Sequence, residues 1–289
     1  MPATFRTEFT TSVDGTRIAM DVVGSGPPLI LVGGAFSFRR WKGFVRLAAI
    51  LAPSFTVHGY DRRGRGDSGA GTGSGEGAGS GSRAGSIVEQ EIADLAAVAR
   101  HAGDPAHVFG MSSGGVLALR ATAGGLPARS LTVYQPPFAV SPDGHVPPAD
   151  FGPRLAELIA ADRRSAAVHY FMTTGMGAPP FVVRLMRLAP FWKALTAVAH
   201  TLPTDHAVMG DTLGGRPLDG DPWRMISAPT LVLDGSRSPA GAGLAADQLA
   251  DRLPNADRRT LASQGHNVAM PALADAIATF ASGVDASRR

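Results

Sequence analysis

Residues 106–115 read AHVFGMSSGG, and this short stretch decides the fold. Its apolar first half predicts a buried strand, and the apolar spacing over 116–123 predicts a helix directly after it. The pattern G-x-S-x-G between a strand and a helix is typical of a sharp turn that presents the central serine at the sheet edge. Side chains two positions before and after that serine would collide, which explains Gly110 and Gly114. Ser112 is therefore the candidate nucleophile, and the alternative is that this segment is an ordinary strand-to-helix turn. Ser113 is the less favoured nucleophile, because it does not have glycine both two positions before it and two positions after it.

Outward from this stretch, strand patterns alternate with helix patterns along most of the chain. An early hairpin is predicted over 4–23, with Asp14 and Gly15 in its turn. Short apolar runs predict further strands over 28–32, 55–60, 131–134 and 230–234, and a last strand is predicted over 258–261. Helical spacing predicts helices over 41–51, 88–100, 244–252 and 271–280. Strands that alternate with helices predict an α/β fold with a mostly parallel central sheet flanked by helices on both faces.

One long segment, residues 135–223, breaks this alternation. It is helical in pattern, contains many large apolar residues and is interrupted by proline and glycine. We interpret it as a helical cap inserted late in the sheet, with 1–134 and 224–289 forming the core domain. Most of its apolar residues are expected to pack the cap, and some to line an apolar pocket for a small-molecule substrate: Phe171, Met172, Met176, Phe181, Met186, Phe191 and Trp192.

Composition excludes several classes of protein. The 289 residues are 44% hydrophobic and 18% charged, which is typical of a globular chain. The absence of cysteine excludes disulfides, thiolate metal sites and a cysteine nucleophile. The net charge is +3 and the basic residues are dispersed, so solvated faces and local pairing explain groups such as Arg62, Arg63 and Arg65 better than nucleic-acid binding does.

No apolar stretch approaches the roughly 20 residues of a membrane helix, and the first residues have no signal core. We therefore expect a cytoplasmic protein without a membrane partner. The sequence contains no metal-binding motif, so neither a metal nor a cofactor is expected. The sequence leaves the oligomeric state open.

Residues 69–86 are almost entirely small and polar. Because they have little to bury, they predict a flexible surface loop. A phosphate-binding glycine loop would need a Lys-Ser/Thr pair, which this segment lacks.

The remaining catalytic groups can be placed by their position in the chain. His266 follows the last predicted strand, where a base for the serine is expected; a surface histidine is the alternative, and His58 and His107 lie in or beside strands and look structural. Two backbone N–H groups should bind a developing oxyanion: that of Ser113, and one from residues 33–36. Ala35 is the first choice there and Phe36 the second, unless the segment is only a tight turn.

Together these elements resemble the α/β-hydrolase family over nearly the whole chain, most closely its capped, serine-nucleophile members of actinobacterial type. Residues 60–68, YDRRGRGDS, are similar to the turn that the family carries after its second parallel strand, and Gly33-Gly34 stands where many members have His-Gly. The resemblance implies a serine hydrolase acting on an ester, thioester or lactone. It also admits non-hydrolytic cyclases, lyases and acyltransferases, and non-catalytic binding proteins. A serine at position 112 argues against the aspartate-nucleophile members.

The acid that completes the family's triad is absent from both usual places. Ser238 stands where most members have Asp, and Gln135 stands where some relatives have Glu. Three interpretations stay open. A carboxylate could come from elsewhere, from Asp234, Asp205 or Asp211, although a structural role for Asp234 is favoured. Gln135 or Ser238 could orient His266 through a neutral hydrogen bond, or the chemistry could differ.

Overall fold

The computed structural model describes residues 4–71, 86–103, 105–219 and 221–288. Eight strands form its sheet: β1 (Arg6–Thr11), β2 (Arg17–Val23), β3 (Pro28–Val32), β4 (Thr56–Tyr60), β5 (Ala106–Met111), β6 (Ala128–Tyr134), β7 (Thr230–Gly235) and β8 (Ala256–Leu261). Their order is β1-β2-β4-β3-β5-β6-β7-β8. The hairpin strands β1 and β2 run antiparallel, and β3 to β8 run parallel to one another. The predicted α/β fold with a mostly parallel sheet is confirmed.

The described part of the chain also contains eleven α-helices: α1 (Lys42–Leu51), α2 (Ile87–Ala102), α3 (Ser113–Ala123), α4 (Phe151–Ala160), α5 (Arg164–Tyr170), α6 (Pro180–Met186), α7 (Trp192–Ala197), α8 (Leu202–Met209), α9 (Asp221–Arg224), α10 (Ala240–Arg252) and α11 (Met270–Ser287). None of these is both long and apolar enough to cross a bilayer. Most of the predicted loop over 69–86 lies outside the described residues. Its last residue, Ser86, caps α2 by accepting a hydrogen bond from the Glu89 N–H.

The sheet separates two hydrophobic cores, and β3 shows why. Alternate side chains of a strand point to opposite faces. Ile30 and Val32 join the core beneath α2, α3 and α10, whereas Leu29 and Leu31 join the core beneath α1 and α11. Burial on both faces accounts for the continuous apolar runs that predicted the parallel strands.

The six helices α4 to α9 lie between β6 and β7 in the chain. Helices α8 and α9 pack against α3 of the core. The division into a core and a cap over 135–223 stays a prediction. The predicted apolar residues of this segment have different surroundings: Phe171 and Trp192 are buried, whereas Met176, Phe181 and Phe191 are exposed.

Candidate active site

Ser112 lies on a strained turn between β5 and α3. Its backbone has φ 55° and ψ −129°, a region that residues other than glycine rarely adopt. A Cβ at Gly110 would lie 2.6 Å from the Gly114 carbonyl oxygen, and one at Gly114 would lie 2.4 Å from that of Val32. The turn therefore requires glycine at both positions, as the sequence pattern indicated. Strain of this kind is concentrated at functional sites.

Ser113 is the first residue of α3. N–H groups in the first turn of a helix have no partner within the helix, and the helix dipole makes this end favourable for negative charge. The Ser113 N–H is thus suited to hold an oxyanion that forms beside Ser112.

Residues 33–36 pass directly beside the serine. They follow β3, whose Val32 is paired with Gly110 of β5. A Cβ at Gly34 would lie 2.8 Å from the Met111 carbonyl oxygen and 2.9 Å from the Cβ of Ser112. Only glycine allows the two backbone segments to approach this closely. The structure therefore brings the predicted oxyanion loop to the candidate nucleophile.

The orientation of the peptide between Gly34 and Ala35 is fixed by hydrogen bonds. The Gly34 carbonyl oxygen accepts from Arg65 Nη1 at 2.6 Å, from Ser37 Oγ at 2.6 Å and from the Ser37 N–H at 3.3 Å. In a trans peptide the C=O and N–H point in opposite directions. The Ala35 N–H accordingly points away from the Arg65 guanidinium.

A buried carboxylate on α8 links the start of α3 to the arginine that holds the Gly34 peptide. Asp205 accepts hydrogen bonds from Arg62 Nη1 and Arg65 Nη2, each at 2.6 Å, and from Ser113 Oγ at 2.7 Å. Burial alone would raise the pKa of the Asp205 carboxyl, but the Arg65 and Arg62 guanidiniums outweigh it and hold that pKa below its usual range. Arg62 also pairs with Glu91 at 2.9 Å. We call Asp205, Arg62 and Arg65 the buried clamp.

The clamp corrects one expectation from the sequence. Arg62, Arg63 and Arg65 are 1–3% exposed, so they do not form a solvated face, although the expected local pairing is present. Sequence reasoning also missed that Asp205 contacts the residues next to the nucleophile. The only sequence signal for this contact was the dense basic turn immediately after a buried strand, because buried cations require carboxylate partners.

Hydrogen bonds bring the loop of His266 to the same edge of the sheet. The Ser112 N–H donates to the Tyr134 carbonyl oxygen at 3.0 Å, and the Tyr134 hydroxyl donates to the Gly265 carbonyl oxygen at 2.6 Å. His266 follows Gly265, and Gln135 follows Tyr134. The candidate base and the candidate orienting residue thus lie at the strand ends adjacent to Ser112.

Gln135 and Ser238 form a neutral hydrogen-bonded chain with His266. His266 Nδ1 lies 2.8 Å from Gln135 Oε1, and Gln135 Nε2 donates to Ser238 Oγ. An amide oxygen can only accept, so Nδ1 carries the proton and Nε2 keeps its lone pair. Gln135 adopts φ 46°, a second strained backbone at this edge. The structure therefore places Gln135 and Ser238, the neutral residues at the two usual acid positions, in one hydrogen-bonded chain with His266.

The surroundings of His266 favour its neutral form. Protein atoms crowd its ring, and this desolvation lowers the pKa of the imidazole, although part of the residue stays exposed to solvent. No carboxylate charge from Gln135 opposes that effect. A neutral histidine with a free Nε2 lone pair is the form that can accept a proton.

The three carboxylates considered as substitutes have cationic partners elsewhere. Asp234 Oδ1 lies 2.9 Å from Arg258 Nη1, and Asp211 Oδ1 lies 3.2 Å from Arg120 Nη2. Asp205 belongs to the buried clamp. The structural role expected for Asp234 stays a prediction. Among the described residues, no cluster of three or more His, Asp or Glu side chains could hold a metal ion.

Comparisons with known proteins agree with the fold. A family model described as the alpha/beta hydrolase family matches residues 29–282. An alpha/beta hydrolase from Sphaerobacter thermophilus is 49% identical, with a TM-score of 0.83, covering 94% of this chain and 99% of that one. The search of curated proteins finds no match.

More distant solved structures share the fold. An esterase from Rhodococcus is 20% identical, with a TM-score of 0.64, covering 96% of this chain and 99% of that one. An enol-lactonase from Burkholderia xenovorans is 18% identical, also with a TM-score of 0.64, covering 98% and 100%. The match to the family over most of its length shows that this chain belongs to the α/β-hydrolase family.

Proposed function

We propose that this protein is a serine hydrolase that cleaves a medium-sized apolar ester, thioester or lactone through an acyl-enzyme on Ser112. Membership of the family and the esterase and enol-lactonase neighbours support a hydrolase in general. The observation that carries the finer proposal is the strained backbone of Ser112 at the start of α3, with the backbone of Gly34 packed against it. This is the arrangement that a serine nucleophile with an oxyanion hole requires.

In the proposed first half-reaction, His266 Nε2 takes the proton of the Ser112 hydroxyl as its oxygen attacks the substrate carbonyl carbon. The N–H groups of Ala35 and Ser113 stabilise the resulting oxyanion. When the tetrahedral intermediate collapses, the bond to the leaving group breaks and His266 returns the proton to that group. The acyl group remains on Ser112, and the alcohol or thiol departs, or stays tethered if the substrate is a lactone.

The second half-reaction uses the same groups with water as the nucleophile. His266 takes a proton from water, which attacks the acyl-enzyme, and then returns it to the Ser112 oxygen as the acid leaves. Gln135 holds the required tautomer of His266 in both steps. Because Gln135 is neutral, it stabilises the transient imidazolium less than a carboxylate would.

An apolar acyl group is supported by what lies next to the oxyanion loop. The Phe36 ring contacts that of Phe171 edge to face, with centroids 5.5 Å apart. Phe171 comes from the inserted helical segment, so this segment and the oxyanion loop meet through aromatic surface. We infer that this surface favours hydrocarbon over charged acyl chains.

A second candidate is a non-hydrolytic enzyme on the same residues, such as a cyclase, lyase or acyltransferase. The neutral pair of Gln135 and Ser238 favours it, because a weakened base would activate water poorly during deacylation. Such an enzyme would still form an acyl or addition intermediate at Ser112.

The test is labelling with a fluorophosphonate, read by intact mass and peptide mapping. The wild type should take up one label, on Ser112, and Ser112→Ala and His266→Ala should take up none. Ser54→Ala, which removes an exposed serine far along the chain from the site, is the matched control and should label normally. Failure of folded wild-type protein to label would overturn the serine-hydrolase proposal. Labelling without turnover of acyl esters and thioesters would favour the second candidate.

A further inference from the structure

Helix α6 and the turn after it present large apolar side chains to solvent. Phe181, Leu185 and Leu188, at positions i, i+4 and i+7, are 75%, 68% and 82% exposed. Val183 on the other side of the helix is fully buried and fixes which face is outward. Other exposed apolar side chains nearby are Met176, Val182 and Phe191. We call residues 176–193 the α6 face.

The charge around this face has one sign. The whole chain is nearly balanced, with 27 Lys and Arg against 24 Asp and Glu. Residues 163–204, however, contain no Asp or Glu, and their basic residues are Arg163, Arg164, Arg184, Arg187 and Lys193. Three of these, Arg184, Arg187 and Lys193, are exposed among the apolar side chains of the α6 face.

An open groove of about 830 Å³ adjoins the same face. Its lining includes Arg164, Arg187 and Lys193, together with the largely buried Trp192. Asp162 also lines it, but its carboxylate pairs with Arg164 at 2.8 Å. The groove is thus a basic recess in which phosphate groups could be bound beside exposed hydrocarbon.

A second copy of the chain fits this surface poorly. In a symmetric dimer the same patch meets itself, so the like charges of Arg184, Arg187 and Lys193 would be brought close to those of the other copy. Exposed aromatic and leucine side chains interspersed with arginine and lysine are instead typical of segments that lie on anionic membranes.

We propose that the α6 face docks on an anionic lipid surface. Phe181, Leu185 and Leu188 enter the headgroup region, while Arg184 and Arg187 bind lipid phosphates. This proposal departs from the expectation that the protein has no membrane partner, which rested on the lack of an apolar stretch long enough to span a bilayer. A peripheral contact needs no such stretch. The proposal does not depend on the chemistry at Ser112, although the same inserted segment supplies Phe171 to that site.

The test is co-sedimentation of the full chain with large vesicles of phosphatidylcholine, with and without phosphatidylglycerol, at low and physiological salt. We expect binding to the anionic vesicles to be at least about tenfold tighter than to the neutral ones, and to weaken with salt. The triple variant Phe181→Ser/Leu185→Ser/Leu188→Ser and the double variant Arg184→Glu/Arg187→Glu should each lose most of this binding.

Matched controls change similar residues elsewhere. Val13→Ser/Met225→Ser removes two exposed apolar side chains, and Arg46→Glu/Arg100→Glu reverses two exposed charges; both should bind like the wild type. Absence of binding to anionic vesicles, or equal losses in the controls, would overturn the proposal. So would a lipid-free dimer in light scattering that the triple variant dissociates, because the α6 face would then be a protein interface.

Discussion

The candidate site differs from a charged triad at a single side chain. Gln135 Oε1 accepts a hydrogen bond from the Nδ1–H of His266, as a carboxylate would, and so selects the tautomer with a free Nε2. It contributes no negative charge to stabilise an imidazolium. The residue therefore separates two tasks that a carboxylate performs together: it orients the base without strengthening it.

Gln135→Glu should restore the missing charge. Ser238 can accommodate it, because its hydroxyl can rotate from accepting to donating. A carboxylate beside His266 raises the pKa of the imidazole and stabilises the imidazolium that forms as Ser112 is deprotonated. We expect the rate of fluorophosphonate labelling to rise about tenfold, and the acidic limb of its pH profile to move to higher pH.

The matched control for this change is Gln135→Leu, which removes the acceptor and should slow labelling, because Nδ1 would lose the partner that fixes the tautomer. If the glutamate variant reacted no faster than the wild type, charge on His266 would not limit the reaction, and the neutral pair would have to serve another chemistry.

At the scale of elements, local patterns predicted the parallel strands and the helices between them. Periodicity depends on which face of an element is buried, and that information lies within the element itself. The helix after Ser112 begins three residues earlier than its predicted start at 116, at Ser113. Residues 113–115 are small and show no apolar periodicity, so only the geometry of the turn reveals where the helix starts.

Contacts between distant elements were harder to predict. Asp205 is 140 positions from Arg65, and the sequence does not show that α8 packs against α3. Asp205 could be named as a carboxylate of the inserted segment, but its buried pairing depends on tertiary packing. The contact between Gln135 and His266 was expected only because the family places an acid there. Whether these residues act in catalysis remains a prediction.

The buried clamp predicts that the hydroxyl of Ser113 affects the reaction separately from the backbone N–H of the same residue. Ser113→Ala keeps the N–H but removes the hydroxyl that donates to Asp205 at 2.7 Å. The start of α3 would be held less firmly, so we expect kcat to fall about threefold to tenfold with KM unchanged, because the oxyanion is present only after attack. Steady-state kinetics on the best ester found would measure this.

Ser130→Ala is the matched control for that variant. It also removes a buried hydroxyl, one that lies 2.7 Å from His107 Nδ1 on the neighbouring strand. Ser130→Ala should cost about 1 kcal/mol of unfolding free energy and Ser113→Ala about 2 kcal/mol, because its hydrogen bond is to a carboxylate. Only Ser113→Ala should change kcat. Equal kinetic losses in the two variants would mean that the hydroxyl of Ser113 has only a structural role.

Across the whole molecule, buried charge is concentrated after β4. Arg62 pairs with Glu91 and Arg63 with Asp94, and Arg39 pairs with Asp61, so the end of β4 is joined to α2 and to the loop after β3. Removing one partner of a buried ion pair typically costs about 3–5 kcal/mol. Buried histidines differ, because in mild acid they stay neutral in the folded chain and gain a charge only when the chain unfolds.

His58 should make the fold sensitive to acid. It lies in β4, is 4% exposed, and neither ring nitrogen has a hydrogen-bond partner among the described residues. Burial lowers its pKa to about 4 from the usual 6.5, with the nearby charge of Glu8 opposing this weakly. Above pH 6.5 the residue is neutral in both states. Between about 6.5 and 4 the unfolded chain binds a proton that the folded chain does not, so stability falls as pH falls, by up to about 3 kcal/mol.

His58→Phe should therefore reduce the loss of unfolding free energy between pH 7 and pH 5, as measured by urea denaturation at each pH. The slope should not vanish, because burial also lowers the pKa of His107. His169→Phe, in the inserted segment, serves as the control and should keep the wild-type dependence. Parallel curves for His58→Phe and the wild type would show that His58 is solvated or paired in solution, and that acid sensitivity of the fold has its origin in another group.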